Sequence, residues 1–295
     1  MSNAIGDATG SYGDAWKFFT SKPIPVLSDF TKVALLGMLL QLSAAILFLG
    51  TAMLTGYDMV SDDMPLPFLV ASFVIVIMMV MIGAALNAVP YSLVDERMKG
   101  REGAVLRKTA ELILPMARYV VMIIAALLVL LVITFVLSAL LVSVDPLAGI
   151  APLLVGTLTG LLLIFALQFA IPEIVLNGTG ILEGFGRSWG MVMKRPLIVL
   201  AFDIMFIGLL LVFGGLLGVL TLPMGAISSV PGVGGIAGIV YSTITGVINS
   251  IAITMLAVLS FYFFWKRLTG APEKQETPHK RAKPAAKRKS RRKKR

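Results

Sequence analysis

The chain has 295 residues, of which 57% are hydrophobic and 14% charged, with a mean hydropathy of +0.91; this apolar excess excludes an ordinary soluble domain and points to a polytopic membrane protein. Cysteine is absent and the single histidine, His279, sits in a polar tail, so thiol chemistry, disulfides and a conventional zinc site have no ligands. The formal charge of +10 falls almost wholly at one end of the chain and points to polyanionic partners.

Residues 1–32 are polar and of mixed charge, without the short apolar core and small-residue cleavage site of a signal peptide. Within them Tyr12, Ala15, Trp16 and Phe19 recur at helical spacing, which predicts an amphipathic helix, either lying in the membrane interface or packed on the inner surface of the bundle. On this stripe a charge at Trp16 would do more harm than one at Ser11. Six apolar runs of bilayer length follow, at about 33–54, 68–89, 119–144, 150–171, 197–220 and 239–265. The connections after the first, third and fifth runs contain no Lys or Arg; all 26 basic residues lie on the other side. By the positive-inside rule both termini are cytoplasmic and the protein is a multi-pass component of the cell membrane.

The chain also repeats itself. Gly13, Trp16 and Pro23 are matched by Gly186, Trp189 and Pro196 at a constant offset of 173, and Lys22 is answered by Arg195. Each proline opens a membrane run, so the unit is an amphipathic helix followed by a helix hairpin. A second stripe, Ile181, Phe185, Trp189 and Val192, marks the later copy. A looser middle copy spans Gly103 to Pro115, with no tryptophan. The exits of the second and fourth runs, Ala85 to Pro90 and Ala166 to Pro172, are alike, and proline there ends the span.

An apolar helix ending at Pro172-Glu173, then Gly184, Arg187-Ser188-Trp189 and a basic pair before the next span, resembles a large group of mostly uncharacterised six-helix membrane proteins. The group includes archaeal proteins, the YciC-like bacterial membrane proteins and the membrane domain of some glycerophosphoryl diester phosphodiesterases. The resemblance covers about Gly10 to Arg267. It implies the fold and the membrane location and no catalytic residue, because the phosphodiesterase chemistry belongs to a soluble barrel outside this chain. The basic tail departs from the group's pattern.

Asp203 lies seven residues into the fifth run, roughly 10 Å deep, where an ionisable group marks a candidate site. It binds a cation, carries a proton or reaches Arg118 or Lys194; packed among polar groups it is merely structural. Gln41, Asn87, Gln168 and Asn249 lie in four other runs and line a shared polar path or bond helix to helix. Glu173 is expected at the interface, paired with Arg187, and Trp16 and Trp189 are expected to anchor there. Pro223 to Gly238 reads as an external loop, with a re-entrant segment as the alternative. No nucleophile–base pair, carboxylate dyad or phosphate-cradling loop is visible, so no catalytic residue, cofactor or metal is assigned.

From Gly270 the chain turns to Ala, Pro, Lys and Arg without an aromatic residue, which predicts a disordered tail. Its candidate polyanion-binding residues are Lys280, Arg281, Lys283, Lys287, Arg288, Lys289, Arg291, Arg292, Lys293, Lys294 and Arg295. The expected architecture is all-α: an N-terminal segment (1–32), a six-span bundle of three amphipathic-helix and hairpin units (33–268) and a polybasic tail (269–295). The expected function is non-enzymatic and lipid-handling or membrane-organising, with anionic lipids as partners. The alternatives are a transporter or channel built on Asp203, and a tether binding nucleic acid or ribosomes through the tail.

Overall fold

The computed structural model describes residues 2–56, 65–143, 145, 147–219 and 234–270. The acidic residues 58, 62 and 63, most of the expected external loop, His279 and the tail from 271 lie outside these residues. Among the described residues there is no strand. The helices are α1 (Ser2–Ser21), α2 (Pro23–Thr55), α3 (Leu66–Met98), α4 (Val105–Val142), α5 (Ile150–Leu167), α6 (Ala170–Asn177), α7 (Ile181–Lys194), α8 (Pro196–Val219) and α9 (Gly234–Thr269). Among the described residues six stretches are long and apolar enough to cross a membrane: α2, α3, α4, α5 with α6, α8 and α9. Gly234 to Gly238, expected in the loop, open α9 instead.

Several spans outrun the bilayer. The 33 residues of α2 and the 38 of α4 reach about 50 Å and 57 Å, against a hydrocarbon core of about 30 Å. The surplus lies at the pole that carries the basic residues. There the bundle is packed tightly, around Val26, Phe30, Val94, Leu259 and Tyr262, and around Phe169, Val199, Phe202 and Phe264. Away from that pole the helices are largely exposed, and the most apolar window of α4 has no buried residue.

The repeat is built into the backbone. Lys22, between α1 and α2, has φ −141° and ψ 53°; Arg195, between α7 and α8, has φ −140° and ψ 52°. In both joints the next residue is proline, which presets the first turn of the span. The middle copy differs: Val105 to Pro115 is the first third of α4, continuous with its span, and Pro115 lies inside the helix.

Each copy's polar segment packs on the hairpin before its own. The start of α4 packs on α3, α7 packs on α5 and α6, and α1 packs on α8 and α9, so the three units close a ring at the basic pole. An ion pair spans each seam: Lys108 to Glu96 at 3.0 Å, Arg187 to Glu173 at 3.7 Å and Arg267 to Asp14 at 2.6 Å. Asp14 and Arg187 occupy the same repeat position, with their charges exchanged.

The expected apolar stripes are displaced from the faces that pack. On α1 the buried residues are Ala8, Ser11, Ala15 and Phe18, while Trp16 is 66% exposed; on α7 they are Gly184, Ser188 and Val192, while Trp189 is 43% exposed. Small residues face the bundle because the helices approach closely. A Cβ on Gly184 would lie 2.8 Å from Ile174.

Candidate functional site: a cavity between α2, α3 and α9

Between α2, α3 and α9 lies a cavity of about 620 Å³ at membrane depth. Its walls include the amides of Gln41 and Asn87 and the hydroxyls of Ser250 and Thr254, beside Phe30, Met38, Met79 and Leu86. Three of its lining residues, Gly37, Gly83 and Gly246, have open space where a side chain would begin. These glycines keep the three helices from filling the gap. Neither Gln41 nor Asn87 forms a hydrogen bond with another described residue, although polar groups in hydrocarbon ordinarily find a protein partner or line a cavity. Asn249 stands one residue from the lining, and its Oδ1 is buried without a partner among the described residues.

Beneath the cavity Phe30 forms a floor, and under it Asp29 and Arg97 form a bidentate pair. Arg97 Nε donates to Asp29 Oδ2 at 2.7 Å and an η nitrogen donates to Oδ1 at 3.1 Å. The void around this pair leaves no room for a water molecule, so the cavity ends here. Lys22 Nζ donates to the Arg97 carbonyl at 3.0 Å, which ties the α1–α2 joint to the end of α3. Asp29 lies before the first apolar run and Arg97 after the second, 68 residues apart, so no sequence spacing announces the pair. The available signal was weak: a carboxylate six residues into a proline-capped helix.

The five polar span residues divide into two groups. Gln41 and Asn87 share the cavity, with Asn249 beside it. Gln168 and Asp203 pair with each other instead, Gln168 Nε2 donating to Asp203 Oδ2 at 3.2 Å. Asp203 has no ion pair with Arg118 or Lys194, because its carboxylate is turned to α5. Nearby, Tyr12 donates to the Phe202 carbonyl at 3.2 Å, and its ring stacks on Phe202. Burial, and then the Asp203 carboxylate, raise the Tyr12 hydroxyl well above its usual range and keep it a donor.

The residues from Pro172 to Trp189 work as one lock. Pro172 has no N–H to continue the ladder, and the chain breaks between α5 and α6. Ser188, buried on α7, closes the break: its hydroxyl donates to the Ala166 carbonyl at 2.8 Å and accepts from the Phe169 N–H at 3.2 Å. Glu173, expected at the interface, is only 2% exposed. Its carboxylate accepts from Trp265 Nε1 and Asn177 Nδ2, both at 2.8 Å, as well as facing Arg187. Burial is affordable because every oxygen has a donor.

Six apolar spans ringed at a basic pole, with an intramembrane cavity, define a multi-pass, all-helical membrane protein. Residues 13–267 match the family described as a Domain of unknown function (DUF7847), and the chain belongs to that family. The match shows no relation to the YciC-like proteins or to the phosphodiesterase membrane domain. No curated protein and no solved structure matches the chain.

Proposed function

We propose that this is a non-enzymatic membrane protein that holds a lipid in the α2/α3/α9 cavity, with its polar group against Gln41 and Asn87. One observation carries the reading: Gln41 and Asn87, whose amides have no hydrogen-bond partner among the described residues, line a cavity at membrane depth whose glycine walls leave space for a guest. The volume suits an amphiphile's apolar part, and the two amides give its polar part donors and acceptors. A kinship with the six-helix group implied by Pro172-Glu173 and Arg187-Ser188-Trp189 agrees with a lipid-facing role.

Transport through Asp203 has less support, since Asp203 is bonded to Gln168 and does not line the cavity. Both termini are proposed to be cytoplasmic, on the distribution of Lys and Arg. The tail's basic residues are proposed to attract anionic lipid by charge, at up to about 1 kcal/mol each; the lack of aromatics disfavours nucleic-acid stacking. Deleting residues 271–295 should abolish any salt-sensitive recovery of vesicles, RNA or ribosomes, and recovery that survived the deletion would remove the tail from the account.

The cavity reading is tested with Gly83→Leu, which fills the cavity from a position where no neighbouring atom lies within 4 Å. Lipid retained through gentle purification should fall at least several-fold while the variant stays folded. Retention equal to the parent's would defeat the reading.

A further inference from the structure

A second pocket, of about 540 Å³, lies at the basic pole between α1 and α9, below the floor formed by Phe30 and the Asp29–Arg97 pair. It is lined by Lys17, Lys266 and Arg267, by the Asp14 carboxylate, and by the rings of Phe18 and Phe263. Arg267 is already committed: its guanidinium grips Asp14 through Nε at 2.9 Å and an η nitrogen at 2.6 Å. That guanidinium also lies against α1 at Gly10, where any side chain would collide with it. Lys17 and Lys266 have no acidic partner within ion-pair distance among the described residues.

Architecture accounts for only part of this charge. Lys266 and Arg267 fall in the last turn of α9, where cations offset the helix dipole. Arg267 also closes the α1 seam. Neither reason applies to Lys17, which precedes the last turn of α1 and closes no seam. The repeat makes the same point, since the position equivalent to Lys17 in the later copy is Gly190, 173 residues on. A ring seam of this kind therefore forms without a cation there. The pocket carries two positive charges that are unpaired among the described residues, over an aromatic floor, at a level where the exposed Trp16 marks the membrane boundary.

We propose that this pocket binds a phosphate-ester anion through Lys17 and Lys266, with the Asp14-anchored Arg267 guanidinium fixed beside it. A phosphate presents several acceptor oxygens to ammonium donors, and the Phe18 and Phe263 rings suit an attached glycerol or acyl stem. Two sources carry this chemistry, an anionic phospholipid headgroup and a free phosphate. The site is separate from the α2/α3/α9 cavity and does not depend on it.

The experiment is native mass spectrometry of the full chain in mild detergent, titrated with phosphatidylglycerol or phosphatidylcholine. The parent should hold one phosphatidylglycerol about tenfold more tightly than phosphatidylcholine, the scale of one to two surface cations. Lys17→Gln with Lys266→Gln should erase the preference, and Lys17→Gln alone, at an exposed residue with no ion pair among the described residues, should reduce it. Lys287→Gln with Lys289→Gln removes the same charge from the tail and should leave the preference intact. An unchanged preference in both pocket variants, or an equal loss in the tail variant, would overturn the proposal. Displacement of the lipid by millimolar inorganic phosphate would assign the site to free phosphate; persistence of the adduct would assign it to the lipid headgroup. Gly83→Leu should not alter this preference, so failure here and failure of the cavity reading are separately visible.

Discussion

Asp29→Ala removes one half of a pair whose two hydrogen bonds, at 2.7 and 3.1 Å, join α2 to the end of α3. The Asp29 side chain is 3% exposed and that of Arg97 17%, with Glu102 at 4.0 Å as its other acidic neighbour, so solvent and Glu102 replace the lost partner only in part. Stranding a fully buried charge costs about 3–5 kcal/mol, and the partly exposed Arg97 should fall at or below the lower figure. Replacing both residues, Asp29→Leu with Arg97→Met, removes the desolvation cost along with the attraction and should recover most of that loss, because hydrophobic substitutes of similar volume are often neutral. Denaturation of the purified protein in mixed micelles, across the parent, Asp29→Leu, Arg97→Met and the double variant, closes the cycle. The coupling should persist at high salt, since the pair is shielded from mobile ions. A cost below about 1 kcal/mol for Asp29→Ala, or a double variant whose loss is the sum of the singles, would refute the claim that this pair is a buried clamp.

Ser188→Ala should destabilise the bundle by about 1–3 kcal/mol for each backbone group it orphans, namely the Ala166 carbonyl and the Phe169 N–H; hydrogen exchange at Phe169 in detergent reads the effect locally, and unchanged protection would refute it. Ser11→Glu should now harm folded yield more than Trp16→Glu, the reverse of the order that apolar periodicity suggests, because Ser11 is fully buried and Trp16 is exposed. Equal yields by fluorescence-detected size exclusion would show that α1 does not seat on α8 and α9 as described.

The six spans, the one-sided charge and the repeat were legible because they depend on properties that add along the chain. Run length sets a span, and the Lys22-Pro23 and Arg195-Pro196 joints share a backbone geometry that their shared residues announce. What escaped depends on which residues meet across the fold. Periodicity names an apolar stripe through Trp16 and Trp189 but not the face that packs on the neighbouring helices. Close helix approach favours small residues, which put Ser11, Gly184 and Ser188 inside. The intramembrane amides could be named from sequence but not sorted: Gln168 meets Asp203, whereas Gln41 and Asn87 share a cavity with glycines from three helices. Nothing in the spacing of Gly37, Gly83 and Gly246 distinguishes cavity walls from glycines such as Gly208 or Gly214.

The lipid-holding cavity is tested most directly by photolabelling in native membranes with a lipid that carries a diazirine on its acyl chain, followed by peptide mass spectrometry. Labels should fall on cavity-lining residues such as Met38 and Met79 and be lost in Gly83→Leu, while labelling of the exposed faces of α4 and α5, at residues such as Leu128 and Leu158, continues. Labels confined to those outer faces, or cavity labels undiminished in Gly83→Leu, would contradict it.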